Sequence, residues 1–89
     1  MELKVVLSKQ ALKDLKKIAL ADLKIAKVIR SHLEQIPNTY TIDTQLKGPA
    51  FKGIRRHRVG NYRIIYRVEH EQLIILVIRI GHRKDIYDL

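Results

Sequence analysis

Three strand-like runs follow one another between Phe51 and Ile80, and no other feature limits the fold so strongly. The first is basic, with Lys52, Arg55, Arg56, His57 and Arg58, and turns at Gly60-Asn61. The second, Tyr62-Arg63-Ile64-Ile65-Tyr66-Arg67-Val68, reaches another turn near Glu69 to Glu71. The third, Leu73 to Ile80, leads into Gly81-His82-Arg83-Lys84, and Tyr87 follows. Branched and aromatic residues bounded by such turns form an antiparallel meander.

Side chains alternate across a strand with a period of two. Arg56 and Arg58 therefore share one face, and Arg55, His57 and Val59 the other. Tyr62, Ile64, Tyr66 and Val68 make the apolar side of the second run, while Arg63, Ile65 and Arg67 face away. The third run is apolar on both sides through Ile78, as a central strand is, and positions 75, 77, 79, 81 and 83 are assigned to the face of Arg63.

The N-terminal half supplies what covers the apolar side. Glu2 to Leu7 reads as a short strand, and Ser8 can cap the helix after it by accepting a free first-turn N–H. Ala11, Leu12, Leu15 and Ile18 fall on one side of that helix, away from Lys9, Lys13, Lys16 and Lys17. A break near Ala19 to Ala21 is expected, with Asp22 capping a second helix whose apolar stripe is Ile25, Ile29, Leu33 and Ile36. Pro37 should stop it, since it lacks an N–H and restricts the residue before it. Asn38 to Ala50 reads as loop, fastened to the body by Tyr40, Ile42 and Leu46.

The expected product is one α+β domain over residues 1–89. Two N-terminal helices pack on one face of a small mixed, mostly antiparallel four-stranded sheet, in the chain order β-α-α-β-β-β. The first strand takes an interior place beside the third strand of the meander, and the other face stays partly open.

Charge limits the partners. Eighteen Lys and Arg against nine Asp and Glu leave a formal charge of +9, which attracts nucleic acid, an acidic membrane or an acidic protein. The chain has no cysteine, so it has no disulfide frame or thiolate metal site and suits a reducing cytoplasm. Its longest apolar run falls far short of the roughly 20 residues of a membrane span.

The open face should carry Arg56, Arg58, Arg63 and Arg83, with Arg79 at its edge, Lys52 near its mouth and Lys84 beyond Arg83. Arginine offers a rigid fork of donors matched to phosphate oxygens. Charge pattern alone leaves three readings: nucleic-acid contact, docking of an acidic protein, or a solvated basic face. His82, set among cations, is a possible neutral proton acceptor or a capping residue. His32 and His70 read as structural or solvent-facing, and His57 as a histidine at the buried edge. Tyr87 can donate a proton, stack on a base or pin the C-terminus. No ligand-like spacing of histidines and carboxylates points to a metal, and no cofactor motif is present. What remains chemically open is metal-free RNA cleavage, in which the ribose 2'-OH attacks the adjacent phosphate.

Two stretches carry a family resemblance: Arg56-His57-Arg58-Val59-Gly60-Asn61-Tyr62-Arg63-Ile64-Ile65-Tyr66, and Val77-Ile78-Arg79-Ile80-Gly81-His82-Arg83-Lys84-Asp85-Ile86-Tyr87. With Leu46-Lys47-Gly48 and the order of elements, the chain resembles toxins of the RelE/ParE superfamily. The resemblance implies a cytoplasmic toxin with a cognate antitoxin that wraps it and reaches operator DNA on the pair's behalf. It also implies one of two activities. The RelE branch cleaves messenger RNA in the ribosomal A site and stops translation; the ParE branch poisons DNA gyrase. By position, Arg63 matches the residue that holds the scissile phosphate, Arg83 its partner, Arg56 a catalytic-side cation, and Tyr87 the C-terminal tyrosine. Ile54 stands where some members place a lysine for proton transfer, so His82 becomes the substitute base. The expectation is a RelE-like, metal-independent endoribonuclease acting with the 70S ribosome and messenger RNA. Gyrase inhibition and a weak RNA- or antitoxin-binding relative are the alternatives.

Overall fold

The computed structural model describes residues 2–85. Strand β1 (Lys4–Leu7) leads into helices α1 (Lys9–Ala21) and α2 (Leu23–Thr39). A 3-10 turn, Tyr40–Ile42, precedes strand β2 (Thr44–Gln45), and a second, Pro49–Phe51, precedes the meander β3 (Ile54–Val59), β4 (Tyr62–Glu69) and β5 (Ile74–His82). The sheet has five strands in the order β1-β5-β4-β3-β2, not the four expected. The added strand is two exposed residues paired with Arg55 and Arg56, too short to leave a periodic signature. β1 does lie beside the third meander strand, in parallel, but at the sheet edge and not inside it, because the far side of β5 is taken by β4.

Local chemistry sets the helix ends. Ser8 Oγ accepts from the Ala11 N–H at 3.0 Å and donates to the Ile78 carbonyl at 2.9 Å. Asp22 alone separates the helices: its N–H donates to the Ile18 carbonyl at 2.8 Å, and its carboxylate accepts from the Ile25 N–H at 3.2 Å. The expected break at Ala19 to Ala21 therefore shrinks to this one residue. α2 also runs through Pro37 to Thr39. Pro37 deprives only one carbonyl of its donor there, and the Tyr40 N–H to Ile36 carbonyl bond still closes the helix.

The core lies between helices and sheet. Ala11, Leu15 and Ile18 of α1 and Ala26, Ile29, Leu33 and Ile36 of α2 meet Val59, Ile64, Tyr66, Ile75, Val77 and Ile80. Leu12, expected within the stripe, is half exposed, and Ile42 fastens nothing, being 83% exposed. On the opposite face Ile54 and Ile65 form a smaller cluster with Leu46, Phe51 and Ile78, so the segment before β3 covers part of the open side.

One irregularity in β5 changes the face assignment. Ile65 pairs with Arg79 but the next residue, Tyr66, pairs with Val77, so β5 carries an extra residue. A bulge of this kind shifts the alternation by one. Ile75 and Val77 consequently face the helices, contrary to the sequence assignment. Beyond the bulge Ile80 takes the buried role, and Gly81 comes opposite Arg63. β1 ends opposite Val77, and α1 takes over as neighbour for the rest of β5: Ser8 Oγ donates to the Ile78 carbonyl as described, and the Asp14 carboxylate accepts from the Ile80 N–H at 2.9 Å.

Candidate nucleic-acid interface

Two cross-strand rows build the face away from the helices. Arg58 pairs with Arg63, and Arg63 with Gly81; one step along, Arg56 pairs with Ile65. Like charges directly opposite on a sheet repel, at a cost of up to about 1 kcal/mol. Gly81 adds no side chain to its row, so no third charge joins the Arg58–Arg63 pair there. Within this row the Nε and Nη1 of Arg63 are shut off from water and have no hydrogen-bond partner among the described residues. An unsatisfied donor on a charged group typically costs about 1–3 kcal/mol or more. Stability alone gives no reason to keep such a group. An acceptor-rich anion would satisfy both the repulsion and the orphaned donors.

The other expected residues are distributed as follows. Arg58 is exposed and Arg56 half-buried. The Arg83 N–H donates to the Asn61 carbonyl at 2.8 Å, extending the β4–β5 pairing past Tyr62 and His82 and bringing exposed Arg83 beside the β3–β4 turn. Lys84 is exposed, and its N–H donates to His82 Nδ1 at 3.2 Å. Lys52 is exposed immediately after Phe51, on the flank formed by the smaller apolar cluster. Tyr87 lies outside the described residues.

Two residues are not brought to this face. His82 pairs with Tyr62, whose ring it meets edge-on at 5.5 Å and whose side chain packs on the helix-side core. It lines a hollow of about 230 Å³ with Asp14, Lys17, Tyr62 and Asp85, across the sheet from Arg63. Arg79 turns to α1, its Nε donating to Asp14 Oδ2 at 2.9 Å. Burial opposes ionisation of Asp14, but the hydrogen bonds from Arg79, the Ile80 N–H and Gln10, with the guanidinium charge, outweigh it and hold the carboxyl below its ordinary pKa.

Sequence reasoning missed a polar cluster on the helix side. Asp43 accepts from the Tyr66 hydroxyl at 2.6 Å and from His57 Nδ1 at 3.0 Å, and His57 Nε2 lies 2.8 Å from His32 Nδ1. The available signal was indirect: a core tyrosine requires a partner for its hydroxyl, and Asp43 stood in the least periodic stretch of the chain. Among the described residues no three histidines, cysteines or carboxylates gather in a metal-binding arrangement. Nor is any described helix long and apolar enough to cross a membrane.

The chain resembles the toxin–antitoxin complex RelBE2 from Mycobacterium tuberculosis at TM-score 0.80 and 21% identity, over 93% of this chain and 100% of that one. It resembles a YoeB/ParE toxin from Agrobacterium tumefaciens at 0.77 and 20%, over 90% and 98%. The isolated RelE toxin of E. coli gives 0.76 and 19%, over 90% and 83%. At these identities the likeness is one of fold. No curated protein sequence matches the chain. The family profile described as ParE toxin of type II toxin-antitoxin system, parDE, matches residues 5–87, and the chain belongs to that family. It is thus a type II toxin of the RelE/ParE superfamily.

Proposed function

We propose that this toxin acts as a ribosome-dependent endoribonuclease, cutting messenger RNA in the A site by attack of a ribose 2'-OH on the adjacent phosphate. The observation that carries this reading is the Arg63 guanidinium, with two orphaned donors in a row of like charge. Arg63 grips the scissile phosphate, and Arg56 and Arg58 stabilise the charge that develops on it. Arg83 joins from the end of β5, with Lys84 and Lys52 at the margins. Tyr87 stacks on a base or passes a proton. With His82 across the sheet, proton transfer on the arginine face falls, among the described residues, to Lys52, and most of the rate comes from orienting the 2'-OH in line. No metal enters this scheme.

A second reading is favoured by the family profile, whose description is that of ParE, and by the absence of a described histidine on the arginine face. In that reading the chain binds and inhibits DNA gyrase without cutting a bond. One experiment separates the two. Purified ribosomes carrying a defined message are incubated with the wild type, Arg63→Ala and Arg83→Ala, and new 5' ends are mapped. Gyrase supercoiling is measured in parallel. Codon-phased cleavage lost in both variants supports the nuclease. Intact message with blocked supercoiling transfers the function to gyrase.

The partner in either case is a cognate antitoxin, the protein through which the pair would reach operator DNA. Supporting this, the helices leave an apolar groove of about 240 Å³ lined by Leu12, Leu15, Ala19 and Leu23 and rimmed by Lys16, Lys27 and Arg30. Such a groove suits an acidic segment that orders on contact. Neutralising Lys13, Lys16 and Lys17 together is expected to slow association and flatten its salt dependence.

A further inference from the structure

Behind the arginine face, on the helix side of the same strands, the polar cluster around Asp43 joins four segments. Asp43 leaves the Tyr40–Ile42 turn just before β2, and its carboxylate holds Tyr66 of β4 and His57 of β3. His57 in turn reaches His32 of α2, with the rings tilted at 57° and their centroids 5.1 Å apart. Arg55 Nη1 donates to the Asp43 backbone carbonyl at 3.0 Å, and its guanidinium lies 6.0 Å from the Tyr40 ring centroid. His70 meets the edge of that same tyrosine ring. The His57 and Asp43 side chains are only 14% and 12% exposed, so water does not substitute freely for these bonds.

Proton placement in this chain is constrained. An ionised carboxylate only accepts, so His57 Nδ1 carries a hydrogen toward Asp43. The contact between His57 Nε2 and His32 Nδ1 then requires one hydrogen between two nitrogens. It forms when the pair is neutral or holds one extra proton. It fails when both rings are imidazolium, because two N–H groups then face each other. Tyr66 does not change state: burial, and then the hydrogen bond to Asp43, push its phenol far above the ordinary value. Arg55 keeps its charge throughout. His70 touches the cluster only through Tyr40. Among these groups only the two imidazoles can gain a hydrogen at the contact itself, which leaves the His32–His57 pair as the element that depends on protonation.

β3 couples this pair to the other face. His57 lies between Arg56 and Arg58, so strand alternation sets its ring toward α2 and both arginines on the opposite face, and a shift of the β3 backbone at His57 moves all three. We propose that Asp43, His57 and His32 form a proton-sharing brace that positions Arg56 and Arg58 for phosphate and releases them when both imidazoles are charged. The coupling rests on the phosphate-binding reading above; the brace itself does not. His57 and His32 are positioning residues and touch no substrate.

The test follows imidazole nitrogen resonances and amide hydrogen exchange in the full chain from about pH 8 to about pH 5. Binding of a 2'-O-methyl oligonucleotide, which cannot be cleaved, is measured over the same range. His32→Asn places a non-titrating amide nitrogen where Nδ1 stood. His57→Gln keeps a nitrogen toward His32 but releases Asp43. The wild type should show one hydrogen coupled to both nitrogens, lost on acidification as exchange at Asp43 to Gln45 and Arg55 to Arg58 rises roughly tenfold. Oligonucleotide affinity should fall about fivefold relative to His32→Asn at the same pH, the size of one lost hydrogen bond. His57→Gln should show the acid exchange pattern already at neutral pH.

Matching pH profiles in wild type and His32→Asn, or two independently exchanging imidazoles, overturn the brace. Exchange that follows pH while affinity does not overturns its link to the arginines. Should the oligonucleotide bind at no pH, the phosphate reading and the link fall together, and the imidazole and exchange data still decide the brace.

Discussion

Arg58 and Arg63 stand directly opposite each other on adjacent strands, and two donors of Arg63 are sealed from water without a partner among the described residues. A chain selected only for stability would place an apolar or acidic residue at one of these positions. The pair is a local cost that binding an anion would offset, and the predictions begin from it.

Arg63→Met removes the like-charge contact and the orphaned donors while keeping an unbranched side chain beside buried Ile65. The free protein should gain about 1–2 kcal/mol. Thermal melting reads this as a rise of several degrees for a domain of this size. RNA cleavage and oligonucleotide binding should be lost in the same variant. A lower melting temperature would mean that Arg63 serves the fold.

Asp14→Ala leaves Arg79 unpaired and the Ile80 N–H without an acceptor at the point where β1 has ended. The expected loss is about 1.5–3 kcal/mol, measured by urea unfolding at neutral pH. The pH dependence has a definite sign. The Asp14 pKa is lower in the folded state than in the unfolded chain, so its contribution is fully present above the ordinary carboxylate pKa. It disappears as pH falls through the depressed folded value. The acid limb of the stability curve should therefore be shallower in Asp14→Ala than in the wild type.

Tyr66→Phe keeps the buried ring and removes one hydroxyl. Asp43 loses its shortest bond, and the expected destabilisation is about 1–2 kcal/mol. Hydrogen exchange should rise first at Asp43 to Gln45, because the Tyr66 hydroxyl ties that segment to β4. Exchange that rises evenly over the whole domain would place the hydroxyl's role elsewhere.

Ser8→Ala tests the junction between β1 and α1. Loss of the cap typically costs about 1 kcal/mol, and the Ile78 carbonyl loses its donor as well, so about 2 kcal/mol is expected. Ser8→Thr should restore most of it, as followed by chemical denaturation.

Much of the fold was legible because short-range rules were enough. Ser8 and Asp22 act as the caps their chemistry suggests, and the helix stripes from Ala11 to Ile36 bury nearly the residues their spacing selects. Gly60-Asn61 turns β3 into β4 with Arg58 opposite Arg63. Leu12 and Ile42 were misplaced because periodicity reports which side of an element is apolar, not whether a neighbour covers it. The two-residue β2 carries too few residues for any period to register.

The amino-acid order by itself determined a helical pair over a basic meander, since capping, alternation and turn chemistry act within a few residues. Tertiary structure alone decided which side chains of β5 reach the arginine face. The bulge in β5 turns Ile75 and Val77 to the helices while Gly81 keeps its place opposite Arg63, and α1 draws Arg79 away through Asp14. It also decided that Asp43, His57, His32 and Tyr66 form one cluster. The physical reason is the same in both cases: strand register and side-chain hydrogen bonds link residues far apart in the chain, and no local pattern encodes the distance between them.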